Sequence, residues 1–181
     1  MKLITWNVNS IRTRKERLLA LLERHQPDVL CLQETKVADD AFPLDEVRSA
    51  GYHAEIFGQK GGYNGVALIS KLPAEDVQRG FDGNPIPDEA RAISATIGGV
   101  RVVDLYVVNG QSTSSDKYQR KLDWLDTLTR WLDRFFDAEE PLIVCGDFNI
   151  APEARDIHNP KLWDGKVLCS APERARLAAL Q

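Results

Sequence analysis

Short apolar runs alternate along this chain with longer stretches in which apolar residues recur every three or four positions. Residues 2–8, "KLITWNV", read as a strand at the very start. Ser10 stands where it can cap a helix running to about Gln26, with Ile11, Leu18, Leu21 and Leu22 on the inner side. Pro27-Asp28 closes that helix, and "VLCLQE" (Val29 to Glu34) is a short buried strand. A glycine-rich loop, "GQKGGYNG" at 58–65, leads into strand "VALIS". Residues 80–90, with Gly80, Gly83, Pro85 and Pro87, read as loop. "RAISATI" and "VRVVDLYVVN", joined through Gly98-Gly99, predict a hairpin. The clearest helix covers 116–136: Tyr118, Leu122, Leu125, Leu128, Leu132 and Phe135 fall at steps of 4, 3, 3, 4 and 3, with Ser114 or Ser115 as its cap. "LIVCGDFN" is the next strand. Ser170 and Glu173 have capping-box spacing and start a last helix, with Leu177 and Leu180 as its apolar edge. No internal repeat or low-complexity segment occurs.

The polar residues at the strand ends raise the chemical question. Asn7 ends the first strand and Glu34 the second. Tyr106 and Asn109 close the hairpin. Asp147 and Asn149 close "LIVCGDFN", and period-two alternation predicts that these two share one side of the strand. Each has an ordinary reading as cap, turn former or core phenol. Four strand ends doing the same thing shift the balance toward a ligand-binding rim of an α/β sheet. The group is oxygen-rich, which suits Mg²⁺, or Mn²⁺, better than zinc. Asp147 can orient or deprotonate a water, and Asn7 and Asn149 can donate to charge developing on a phosphoryl oxygen. The sum reads as metal-assisted phosphoester hydrolysis.

Composition narrows the classes. The 181 residues are 43% hydrophobic and 28% charged, enough for one soluble domain with a sizeable core. The net charge of −4 (23 Lys+Arg against 27 Asp+Glu) argues against a general polyanion binder but leaves room for a local basic face. Arg12, Arg14, Lys15 and Arg17 supply one: they crowd a helix start, where cations oppose the helix dipole and a phosphate backbone would offset the cost. Three cysteines in or beside apolar runs, with no zinc-site spacing, read as reduced, mostly buried thiols. The N-terminus does not resemble a signal peptide, and no apolar run approaches the ~18 residues of a membrane span. A cytoplasmic protein without a membrane partner, and with no obligate protein partner evident, is the expectation.

With "ITWNVNSIR", "PDVLCLQETK", "GGYNGVALIS", "LYVVNGQS", "DKYQRKLDWL", "GDFNIAPEARDIHNP" and "SAPER" in order, the chain resembles the exonuclease III family of apurinic/apyrimidinic (AP) endonucleases, within the endonuclease/exonuclease/phosphatase group. The resemblance implies an α/β, four-layer αββα sandwich with a single Mg²⁺ site, acting in DNA repair on double-stranded DNA at abasic sites or 3′ ends. It implies that Glu34 is the principal metal ligand, with Asn7, Asp147 and Asn149 around the ion. Tyr106 would contact the scissile phosphate, Asp147 would hold or activate water, and Asn149 would steady the pentacovalent transition state. Lys36 and Asn109 would belong to the polar shell. Arg12 and the glycine-rich loop with Asn64 would lie along the DNA. One mild departure is Val108, where the family commonly has proline.

A larger departure is that the family continues for several dozen residues past position 181, with a metal-site aspartate and a Ser-Asp-His segment. The resemblance therefore implies a single domain, 1–181, lacking its C-terminal part, with an incomplete fold and weak or no activity by itself. Two other readings stay open: a non-catalytic DNA-binding fragment, and a phosphatase or phosphodiesterase of the same fold acting on a small phosphorylated substrate.

Overall fold

Eight strands and five helices follow one another in the computed structural model, which describes residues 1–137 and 139–180. The chain divides into two compact units. One comprises residues 1–81, 87–106 and 138–147; the other comprises 82–86, 107–137 and 148–181.

The first unit holds both sheets. β1 (Leu3–Asn7), β2 (Val29–Gln33), β4 (Val66–Ser70) and β3 (His53–Phe57) form one, in that order. β5 (Glu75–Arg79), β6 (Ala92–Ile97), β7 (Val100–Tyr106) and β8 (Leu142–Asp147) form the other. Each sheet contains one parallel pair, β1 with β2 and β7 with β8, and antiparallel neighbours elsewhere. The parallel pairs stand in register at their ends: Asn7 lies opposite Gln33, and Tyr106 opposite Asp147. β2 and β4 are buried along their whole length, as expected of apolar runs covered on both faces.

Two cores explain those two faces. Val29, Cys31, Val66 and Leu68 pack against Ile93, Ala95, Ile97 and Val102, sheet on sheet. Leu30, Leu32, Ala67 and Ile69 face the other way and pack with Ile11, Leu18 and Leu22 of α1 (Ile11–His25) and Val47 of α2 (Leu44–Ser49). The alternation of the strands thus sorts one apolar run into two cores.

The second unit is built on α3 (Asp116–Phe135), which packs against α5 (Ala171–Ala179); the short α4 (Pro160–Trp163) lies between them in sequence. Ser115 caps α3 by accepting from the Tyr118 N–H, and Ser170 and Glu173 form the expected capping box on α5.

Ser10 precedes α1 but makes no side-chain cap and has φ 87°. The N–H groups of Ser10 and Ile11 instead donate to the carbonyls of Glu34 (2.8 Å) and Thr35 (3.0 Å), so the loop after β2 satisfies the helix start. β8 ends at Asp147, and Asn149 lies past it with φ 50°. Strand alternation therefore does not apply between Asp147 and Asn149. The apolar run of β8 also proves half-buried throughout, because β8 is the edge of its sheet. Phe135, at the end of the α3 stripe, is 48% exposed, while Lys121, Trp124 and Trp131 are buried. Helical spacing gives a direction for a side chain, not a neighbour to cover it.

Candidate functional site

The C-terminal ends of the two parallel pairs, one from each sheet, meet at a single side-chain amide. Asn7 Nδ2 donates to Glu34 Oε1 (2.8 Å) and to Asp147 Oδ2 (2.8 Å). Its Oδ1 accepts from the Asn9 N–H (3.0 Å), which fixes the orientation of the amide. Two carboxylates 113 positions apart in sequence are thereby held around one donor.

Glu34 sits just beyond β2 in a left-handed conformation (φ 55°), as does Lys36 (φ 56°). Non-glycine residues in this region persist only where the surroundings over-determine them. Here the surroundings do so: Thr35 N–H donates to the Gly65 carbonyl (3.1 Å) and Lys36 N–H to the Asn64 carbonyl (2.9 Å), from the glycine-rich loop. Gly65 has φ 93°, and a Cβ there would lie 2.1 Å from Thr35 Oγ1, so only glycine lets the two loops close on each other.

Burial pushes the Glu34 carboxyl upward, but hydrogen bonds from Asn7, Lys36 and Tyr106 outweigh it and hold the group below the usual glutamate value. Lys36 Nζ lies 2.8 Å from Glu34 Oε2 and 2.5 Å from Asn9 Oδ1. Tyr106 has the opposite fate: burial and then the neighbouring Glu34 push its phenol up to about 12. It is a phenol, and a donor, throughout the neutral range. The Arg91 guanidinium stands 4.7 Å over the Tyr106 ring and pairs with Glu89 at 2.5 Å. Glu89 in turn accepts weakly from Asn64 Nδ2 (3.4 Å). Asn64 is buried, also donates to Gln59 Oε1 (2.9 Å), and is linked to Tyr106 through this relay. Arg12 is exposed on the first turn of α1.

In the second unit, Asn109 and Asn149 meet. Asn109 Nδ2 donates to Asn149 Oδ1 (3.3 Å), and Asn149 Nδ2 donates to the Val107 carbonyl (2.9 Å). Beneath them runs a buried ion pair that spacing concealed. Lys121 Nζ bonds Glu173 Oε1 (2.5 Å), the Asn149 carbonyl (2.6 Å) and, longer, the Asn109 carbonyl (3.4 Å); both charged side chains are fully buried. Glu173 Oε2 accepts from the Ser170 hydroxyl (2.6 Å) and its Oε1 from the Leu168 N–H (3.0 Å). The sole sequence signal was the capping box, and it accounted for Glu173 without its partner. Lys121 shares the buried arc of α3, but a lysine there reads as surface.

The structure thus gathers Asn7, Glu34, Lys36, Tyr106 and Asp147 in one unit, and Asn109 with Asn149 in the other. The chain passes from the first group to the second within the two residues after Asp147. The first group presents carboxylate and amide oxygens without a thiol or imidazole among the contacts above, which is the donor chemistry of a hard divalent cation.

The Endonuclease/Exonuclease/phosphatase family matches residues 4–166. Exodeoxyribonuclease III of Haemophilus influenzae is 37% identical over 97% of this chain and 69% of its own length. The exodeoxyribonuclease of Bacillus subtilis is 33% identical over 89% of the chain and 63% of its own length. An AP endonuclease from Archaeoglobus fulgidus superposes with TM-score 0.94 at 40% identity, covering 99% of this chain and 69% of that one. A 3′-5′ exonuclease from Neisseria meningitidis also gives 0.94 at 40% identity, over 99% of this chain and 70% of that one. The chain belongs to the Endonuclease/Exonuclease/phosphatase family, in the branch that contains exodeoxyribonuclease III and the AP endonucleases. Among the described residues no helix is long and apolar enough to cross a membrane.

Proposed function

We propose that this chain carries the nuclease centre of a Mg²⁺-dependent DNA-repair enzyme that hydrolyses phosphodiester bonds in duplex DNA, at abasic sites or 3′ ends. The observation that carries the reading is the Asn7 amide bridging Glu34 and Asp147 from the two sheets. The three free cysteines accord with a reducing, cytoplasmic setting.

Glu34 is the principal ligand for the cation and Asn7 its neighbour; when bound, the ion supplies positive charge to a phosphoryl oxygen. The side chains do the rest. Asp147 accepts a proton from the attacking water and aims it, with its carboxylate oriented by Asn7. Tyr106, kept protonated, shifts its one hydroxyl proton from Glu34 to a non-bridging phosphate oxygen when substrate binds, and Arg91 stacked on its ring restrains the phenol. Lys36 balances the charge of Glu34 and keeps its second oxygen in place. Asn149, the second residue past Asp147, donates to the developing pentacovalent oxygen, and Asn109 fixes its amide. Arg12 contacts the phosphate backbone, a contact that positions DNA without reading its sequence.

The test is a single-turnover assay with enzyme in excess over an abasic duplex in Mg²⁺. Cleavage is expected, and Asp147→Asn is expected to slow it by about 10²–10⁴-fold. Cleavage indifferent to Asp147→Asn would refute the assignment. Binding without any cleavage would favour a DNA-binding fragment, and phosphate release from inositol phosphates without nicking would favour a small-molecule phosphatase.

A further inference from the structure

Directly below the rim, three side chains of a different chemistry face one another. Cys31 projects from β2, Asp104 from β7 and Cys145 from β8, and one ligand atom from each lies within 4.8 Å of the other two. Asp104 and Cys145 are register partners on one sheet; Cys31 comes from the facing sheet. Two residues further along β7 and β8 stand Tyr106 and Asp147.

The carboxylate is the anomaly. Asp104 is 0% exposed. Its Oδ1 accepts from Gln33 Nε2 at 2.6 Å, but its Oδ2 has no hydrogen-bond partner. A buried carboxyl oxygen without a partner is costly, and a bound cation would relieve that cost. From this geometry we infer a metal site, formed by Cys31 Sγ, Cys145 Sγ and the Asp104 carboxylate, for a thiophilic divalent cation of the zinc type.

Distances favour it. Three atoms no more than 4.8 Å apart have a point within about 2.8 Å of each, so contraction of roughly half an ångström reaches the Zn–S length of about 2.3 Å. Cys31 and Cys145 are both free thiols, available as ligands. Two thiolates and a carboxylate prefer zinc to magnesium, while the oxygen-lined rim prefers the reverse, so the two sites sort their ions. Binding expels the thiol and carboxyl protons to solvent. Cys145, on the edge strand, is incompletely buried and gives the ion a way in. Sequence spacing hides the site because its ligands come from three separate strands.

The test needs no nuclease activity and stands apart from the proposed function. The full chain, reduced and stripped of metal, is titrated with Zn²⁺ and, separately, Co²⁺ in excess Mg²⁺. One equivalent of zinc is expected to remain bound, and the cobalt form is expected to show a near-ultraviolet thiolate-to-cobalt charge-transfer band. That band separates this site from the all-oxygen rim. Asp104→Asn is expected to weaken zinc binding at least about tenfold. Cys31→Ser with Cys145→Ser is expected to abolish the band while Cys169 remains as an internal thiol control. If the double variant fails to fold, the wild-type cobalt spectrum decides alone. No retained zinc, no charge-transfer band, a band unchanged in a folded double variant, or a Cys31–Cys145 disulfide in the untreated protein would each overturn the site.

Discussion

Glu34 and Tyr106 touch, yet their surroundings shift their protons in opposite directions. Hydrogen bonds stabilise the Glu34 anion, so its folded pKa lies below the unfolded one. Its contribution to stability is therefore complete above the unfolded value near ~4.3 and fades as pH falls through the lower folded value. Denaturation of wild type and Glu34→Gln between neutral and acid pH checks this: wild type should be favoured at neutral pH, and the gap should close toward acid. Tyr106 is raised to about 12, so its contribution is present below the unfolded value near ~10 and is lost between there and 12. An ultraviolet phenolate titration should show one tyrosine ionising near 12 that is missing in Tyr106→Phe. Both groups were legible as candidates because they end strands. Their opposed titration was not, because it depends on Asn7, Lys36 and Arg91 arriving from elsewhere in the chain.

At the scale of elements, two positions hold the site's supports. Gly146, one residue before Asp147, has φ 133°, and a Cβ there would fall 2.0 Å from the Leu105 carbonyl on the neighbouring strand. Gly146→Ala should therefore push β8 from β7 and cost at least about 1–3 kcal/mol, seen as a lower Tm together with loss of cleavage. The Lys121–Glu173 pair is fully buried between α3 and α5. Lys121→Met strands a buried carboxylate and should cost about 3–5 kcal/mol by chemical denaturation. Lys121→Met with Glu173→Leu should recover only part of that stability, because the Leu168 N–H and Ser170 then lose their acceptor. The double variant should stay slow in cleavage, since the Asn149 carbonyl loses its 2.6 Å donor. The helices themselves followed from periodicity and capping, as α3 and α5 show. The short α2 and the edge strands β3 and β5 went unread, because brief, half-polar segments carry too little pattern and form only through their neighbours.

For the whole molecule, net charge is negative while the start of α1 is basic. Duplex binding should therefore weaken as salt rises, and Arg12→Ala should lower the slope of log affinity against log salt by about 1 without changing sequence preference. A fluorescence-anisotropy salt series measures it; an unchanged slope would place Arg12 away from the DNA. The two-sheet sandwich was expected from the resemblance, and apolar runs alone gave its central strands. The pairing of those strands into two sheets, each with one parallel pair, was not in the pattern, since the same run serves either partner.

By itself, the sequence determined which strands are apolar, where α1, α3 and α5 run, and that carboxylates, amides and a phenol close several strands. These are local properties, written in spacing and in the chemistry of turns. Only the tertiary structure decided which of those groups meet. It put Asn7 between Glu34 and Asp147, left Asn149 beyond the end of its strand, sank Lys121 onto Glu173, and brought two thiols to a buried carboxylate. The reason is that side chains far apart in sequence converge only when burial of two apolar faces fixes the strand order, and that selection is made by the whole chain at once.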